Sequence, residues 1–241
     1  MTMQHTLKAY DEELERLRAH ISEMAGRADA ELADAIRALL ERDSALAEDV
    51  IARDRQLDEM EAEGERMAIR IIALRSPVAD DLREIMAMTK IINALERVGD
   101  YAKNIAKRAT VLIHALPEAP SQLIGLLTSE VRRMLSDVMD AFVRHDADAA
   151  IEVWERDARV DAIYDSLFRE LLTYMMENPK RITPSTHLLF IAKNLERVGD
   201  QATNIAEVVY FAIRGEQLPD HRPKGDESAY LQDPASGEKA G

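Results

Sequence analysis

Eight carboxylates stand in four pairs of identical spacing: Asp54 with Asp58, Glu96 with Asp100, Asp157 with Asp161, and Glu196 with Asp200. On a helix, a four-residue spacing puts both members of a pair on one face, where like charges repel by roughly a few tenths of a kcal/mol. A cation between them relieves that repulsion. Carboxylate oxygens are hard donors, suited to calcium, magnesium, manganese or iron. The chain has no cysteine, so any metal it holds must take oxygen or imidazole ligands. No glutamate lies three residues before any of the six histidines, which excludes the Glu-x-x-His pattern of carboxylate-bridged di-iron bundles. Those histidines are scattered and read as surface or turn residues. Neither a glycine-rich phosphate loop nor a nucleophile with its base is present. The chemistry indicated is ion binding, with redox or hydrolytic turnover at a metal disfavoured.

Two of the pairs lie inside a repeat. LERVGDYAKNIA, Leu95 to Ala106, returns as LERVGDQATNIA, Leu195 to Ala206, with ten of twelve positions identical. Duplication of a charged helical segment predicts a fold of two similar halves. Taking Leu57, Gly64 and Ile71 as heptad a positions puts Asp54 at e and Asp58 at b. Taking Ile85, Ile92 and Gly99 as a puts Glu96 at e and Asp100 at b, and the second half repeats both assignments. All four pairs therefore flank a packed seam. Counted from each hairpin at about 1.5 Å per residue, the facing pairs meet within roughly one turn, about 25 Å from the bend. Each half thus brings two acidic pairs to one groove. Gly99 and Gly199 sit on the seam beside them, where they would let two backbones approach. A mid-helix glycine costs about 1 kcal/mol relative to alanine. The competing reading is that the acids are solvated or neutralised by Arg53, Arg97, Arg156 and Arg197. Asn104 and Asn204 fall at outward f positions, open to partner contact or to chance.

The elements that must carry these groups are helices. Apolar residues at Leu7, Tyr10, Leu14, Leu17, Ile21 and Met24, then Ala28, Leu32, Ile36 and Leu39, keep a three-four spacing. Asp43 and Ser44 supply capping chemistry for a second helix over 45–74, with its stripe at Val50, Leu57, Met60, Met67, Ile71 and Leu74, closed by Pro77. A third helix begins near Asp81, where Asp81 and Glu84 match a capping box, and runs through Ile113. Pro117 and Pro120 mark the break between halves. The second half predicts helices over 121–144, 146–178 and 184–214, the last opening on Pro184. Short connections make neighbours antiparallel. The fold class is all-α: six long helices in two up-down-up three-helix bundles, over 1–116 and 117–214. The tail over 215–241 has too few apolar residues to offset its ordering entropy and reads as mobile.

Of 241 residues, 46% are hydrophobic, enough for one large or two small cores, and the repeat favours two domains of about a hundred residues. The net charge of −14 and pI of about 4.9 give no positive field for nucleic acid or an anionic bilayer. Cations and basic protein surfaces suit it better. The absence of cysteine fits a reducing compartment. With neither a signal-peptide core nor an apolar run of membrane-spanning length, a cytoplasmic protein is expected.

The segments ALERVGDYAKNIAKRA and NLERVGDQATNIAEVV resemble the PhoU family of phosphate-specific transport accessory proteins, supported by ADDLREIMAMTKI at Ala79 to Ile91 and LLTYMMENPKRI at Leu171 to Ile182. The resemblance covers nearly the whole chain to about Arg214. It implies two three-helix bundles, and multinuclear metal sites through E/D-x-x-x-D motifs that match Glu96, Asp100, Glu196 and Asp200. Asp54, Asp58, Asp157 and Asp161 face them. The implied ions are divalent or ferric: iron, manganese, magnesium or zinc. The implied role is negative regulation of the phosphate-starvation response and modulation of high-affinity phosphate uptake. Implied partners are the ATPase subunit of the phosphate ABC transporter, a phosphate-sensing histidine kinase and a second copy of the chain. Contact with the membrane would then come only through those partners.

Overall fold

Apolar residues at every third or fourth position from Leu14 to Leu39 make one buried stripe, and the chain over this stretch is a single rod, α1, Met3–Glu41. The computed structural model describes residues 3–113 and 121–218. Within them follow α2 (Ser44–Arg75), α3 (Asp80–Leu112), α4 (Ser121–Arg144), α5 (Ala147–Glu155), α6 (Asp157–Glu177) and α7 (Ile182–Arg214), with a 3-10 turn at Pro179–Arg181 before α7. No strand occurs among the described residues. The Pro117 and Pro120 break and the tail from residue 219 onward lie outside them.

The first hairpin of each half is built on one aspartate. Arg42 and His145 take left-handed backbones, φ 59° and 52°. That turns the chain so that the Asp43 N–H reaches the Ala38 carbonyl and the Asp146 N–H reaches the Ala141 carbonyl, both at 2.9 Å. This closes α1 and α4 with the bond of a Schellman motif. The same aspartates start the next helices: the Asp43 carboxylate accepts from the Leu46 N–H and the Asp146 carboxylate from the Ala149 N–H, both at 3.0 Å. Asp43→Ala and Asp146→Ala are each expected to cost about 1 kcal/mol, additively in the double variant because the sites share no partner. Urea denaturation of the three variants checks it.

Four local expectations are corrected. The capping box at Asp81 and Glu84 does not form. The helix begins one residue earlier behind Ala79, which makes no side-chain cap, and Glu84 is engaged elsewhere. Its Oε1 accepts from Arg18 Nη2 at 2.5 Å and lies 3.2 Å from His145 Nε2. The rod over 146–178 is interrupted at Arg156, where the Arg156 and Arg159 N–H groups bond three residues back, to Val153 and Arg156. The interruption falls beside Trp154, whose indole N–H is held by Glu207 Oε1 on α7 at 3.0 Å. Leu74, read as part of the buried stripe of α2, is 61% exposed at the helix end. His20 is also no surface bystander, since its Nε2 lies 2.7 Å from the Met60 carbonyl across the α1–α2 seam.

One hydrophobic cluster runs through both halves, from Leu17 and Leu57 to Leu167 and Leu195. The two repeat helices, α3 and α7, pack directly on each other, and α1 touches α4. Polar ties cross the same boundary: Arg132 Nε and Nη2 donate to Asp29 Oδ1 and Oδ2 at 2.7 and 2.8 Å, and Arg108 lies 4.0 Å over the Phe190 ring. No helix among the described residues is long and apolar enough to cross a membrane.

Candidate functional site

The seam between α2 and α3 is a reciprocal interlock of glycine and aliphatic residues. A Cβ on Gly99 would collide with Leu57 Cδ1, and one on Gly64 would meet Ile92 Cδ1 at 2.6 Å. These glycines are therefore holes for facing side chains, not points of backbone contact. Gly199 is the looser equivalent, its nearest neighbour being Val160 Cγ1 at 3.2 Å. The interlock fixes the depth at which the acidic pairs of the two helices face one another.

In the first half the pairs do share one electrostatic environment. Burial raises the Glu96 carboxyl to about 7, and Asp100, Glu61, Asp58 and Asp54 add to the rise. Glu61 is raised by burial and then by Glu65, Asp58 and Asp100. Asn93 Nδ2 donates to both Glu61 Oε1 and Glu65 Oε1 at 3.3 Å. Asp54 is buried, whereas Asp58 is exposed. The Asp54 carboxylate accepts from Lys103 Nζ at 2.5 Å, and Lys103 lies 3.6 Å from Asp100 Oδ1. Glu31, from α1, closes the groove from a third side at 4% exposure. Its carboxyl is raised to about 7 by burial and then by Asp54, against Arg53 and Arg27. Its Oε2 is buried without a hydrogen-bond partner.

The second half repeats the plan with different neighbours. Asp157 and Asp161 are both buried, on the first two turns of α6. Thr203 Oγ1 lies 3.4 Å from Asp157 Oδ1. Glu196 accepts from Lys193 Nζ at 2.6 Å through Oε1, while its Oε2 is buried and unpartnered. Burial raises the Glu196 carboxyl, Lys193 opposes the rise, and Asp200 and Asp161 add to it. With the hairpin aspartates Asp43 and Asp146 aligned, Met134, Tyr164 and Phe168 hold the places of Glu31, Glu61 and Glu65. The first groove is therefore the more acidic.

The eight predicted carboxylates thus lie on the paired helices α2 and α3, and α6 and α7, with Asp54, Asp157 and Asp161 buried and Asp58 exposed. As the side chains stand, no three histidine or acidic groups among the described residues are close enough to hold an ion. Two of the arginines offered as neutralising partners are committed elsewhere, Arg53 to Asp34 and Asp49 and Arg156 to Asp137. Sequence reasoning missed Glu31, Glu61 and Lys103. The signal for Glu31 was present, since it lies three after Ala28 and four before Ala35, both buried seam positions. The donor set fits an oxygen-seeking cation. It is all carboxylate, buried and then crowded enough to push the Glu96 and Glu31 carboxyls up to about 7, and it leaves buried oxygens on Glu31 and Glu196 without a donor. Asn104 and Asn204 are exposed, on the outward face.

The chain is thus an all-helical bundle protein of two similar halves, each with acidic pairs beside its seam. The model of the PhoU domain matches residues 21–109 and 124–209. The chain belongs to the PhoU family. It is 50% identical over 224 residues to a phosphate-specific transport system accessory protein PhoU homolog of Caulobacter vibrioides, covering 92% of this chain and 97% of that protein. The homolog of that name in Rhizobium meliloti is 47% identical over 232 residues, covering 96% and 98%. The crystal structure of PhoU from Pseudomonas aeruginosa superposes with a TM-score of 0.83 at 38% identity, covering 86% of this chain and all of that one. That of the phosphate transport system regulatory protein PhoU from Streptococcus pneumoniae gives 0.81 at 27% identity, covering 87% and 99%.

Proposed function

We propose that this protein is a cytoplasmic, non-enzymatic regulator of phosphate supply. When phosphate is ample it restrains the phosphate-starvation response and high-affinity uptake. It acts as a helical adaptor between the ATPase subunit of the phosphate importer and a phosphate-sensing histidine kinase, and it works as a homodimer. Bound metal in the two grooves organises the adaptor: Glu96, Asp100, Asp54 and Asp58 hold ions in the first half, and Glu196, Asp200, Asp157 and Asp161 in the second. Manganese, magnesium, iron and zinc all match this donor chemistry.

The single observation that carries the metal part is the pair of buried, unpartnered carboxylate oxygens on Glu31 and Glu196 beside further acids. A buried carboxylate oxygen with no donor is costly, and a cation would supply what the protein does not. Family membership and the relatives' names support the phosphate part, and the continuous core supports a rigid body that presents one surface to its partners.

Asp100→Asn with Asp200→Asn tests the link between the two. A chromosomal double variant should fold normally yet leave phosphate-starvation phosphatase activity on in high-phosphate medium, with the ATPase subunit no longer co-purifying. A solely structural bundle, with partners docking elsewhere, predicts unchanged repression in the same strain.

A further inference from the structure

The two copies of LERVGD-x-A-x-NIA differ at two positions, and one of the two faces the groove: Lys103 in the first copy is Thr203 in the second. Lys103 Nζ stands 2.5 Å from Asp54 Oδ2 and 3.6 Å from Asp100 Oδ1. It joins one acid of α2 to one of α3, at the level of the predicted site. The Asp54 side chain is 5% exposed, while that of Lys103 is 27% exposed, so its tip has a route to solvent. The second half carries its lysine at Lys193, three residues before Glu196, where the first half has Asn93. Lys193 grips Glu196 and lies 5.3 Å from the Tyr164 ring centre, which takes the place of Glu61. Each groove thus has one ammonium, at opposite ends.

We propose that Lys103 is a resident counter-ion of the first groove, holding the Asp54–Asp100 position that a metal ion would take, so that the two grooves load with ions unequally. The proposal rests on the reading of the grooves as ion sites. An ammonium is a compact point charge on a flexible stem, able to swing out where a guanidinium fork would be fixed. While it stays, it repels an incoming cation at contact range. A divalent ion replaces it with twice the charge, in a groove where Glu31 keeps a buried oxygen without a hydrogen-bond partner. Loading of the first groove is then an exchange, in which one ammonium leaves as one metal ion enters. At the corresponding place in the second groove the residue is an uncharged threonine.

Manganese titration calorimetry on the chelated full chain tests this. First-groove binding is read in a Glu196→Gln, Asp200→Asn background that silences the second groove. There Lys103→Met should tighten manganese binding about tenfold or more, and Lys103→Arg should not. Thr203→Lys in an otherwise unchanged chain should weaken the second-groove class by a similar factor and leave the first unchanged. Manganese binding that is indifferent to Lys103→Met, or weakened by it, overturns the proposal while leaving the ion sites standing. If no variant binds manganese, the ion reading itself fails. Circular dichroism melts of the same samples show whether each variant is folded, and Thr203→Lys gives an independent result where Lys103→Met is not.

Discussion

Glu31→Gln is expected to make the ion-free protein more stable at pH 8 by about 3 kcal/mol and to leave it almost unchanged at pH 4. The Glu31 carboxyl titrates near 7 in the folded chain against an ordinary 4.5, because burial and then Asp54 oppose its charge. Below pH 4.5 both folded and unfolded chains hold the proton, and the group contributes nothing to the pH dependence. Between 4.5 and 7 the unfolded chain gives up its proton while the folded one keeps it. The unfolded state then binds fewer protons, so stability falls as pH rises. Above 7 the loss is complete. At 4% exposure, solvent does little to screen it. Glutamine keeps the shape of the protonated acid and cannot ionise, so the pH slope should flatten. A chain of this size gains roughly 2–4 °C per kcal/mol, which puts the expected rise in melting temperature at roughly 6–12 °C at pH 8. Glu96, also raised to about 7, pulls in the same direction, and part of the slope should remain in Glu31→Gln because of it. Equal melting temperatures for wild type and variant at pH 8, in chelated buffer, would refute the buried-acid account.

Leu57→Ala should cost about 2–5 kcal/mol, since it empties a fully packed core position, and Gly99→Ala should reverse sign in its presence. In the wild-type protein a methyl on Gly99 runs into Leu57, and Leu57, 1% exposed, has little room to yield. Overpacking of that kind costs about 1–3 kcal/mol, more than the roughly 1 kcal/mol by which alanine improves a helix over glycine. Once Leu57 is shortened, the clash is gone, the methyl fills part of the cavity, and the propensity gain remains. Gly26→Ala is the control: nothing lies within 4 Å of its added Cβ, so it should stabilise by about 1 kcal/mol in both backgrounds. A double-mutant cycle by chemical denaturation measures the coupling. Additive effects of Leu57→Ala and Gly99→Ala would mean that the interlock does not set the groove.

The long-range plan of the molecule was legible because it depends on periodicity. The stripe from Leu14 to Leu39 lies on the buried face of one rod, and Asp43 caps where a short side-chain acceptor before an apolar run should. Register arithmetic also put Asp54, Glu96 and their partners beside the right seam. What it could not give was the difference between two positions that a heptad treats alike. Asp58 and Asp161 share a register, yet Asp58 is exposed and Asp161 buried on α6, just after the interruption at Arg156. Periodicity says which face of a helix is covered, not where the chain departs from regular bonding. Lys103 was hidden for a different reason. A lysine beside a seam reads as a solvated surface charge, and only the reach of its stem across to Asp54 shows otherwise. Gly99 reads from the sequence as a point of close backbone approach, but its occupant, the Leu57 side chain, belongs to another helix and leaves no local mark.

The central claim is that the carboxylates of the two grooves, beside one buried oxygen each of Glu31 and Glu196 that has no hydrogen-bond donor, take up metal ions. Its most direct measurement is equilibrium dialysis of the chelated protein against manganese, followed by elemental analysis of wild type and of a variant with Asp54→Asn, Glu96→Gln, Asp157→Asn and Glu196→Gln. Both proteins should be confirmed as folded. Stoichiometric manganese in the wild type, lost in the variant, is the predicted result. No manganese above the buffer level in the wild type, or the same amount retained by both, would contradict it.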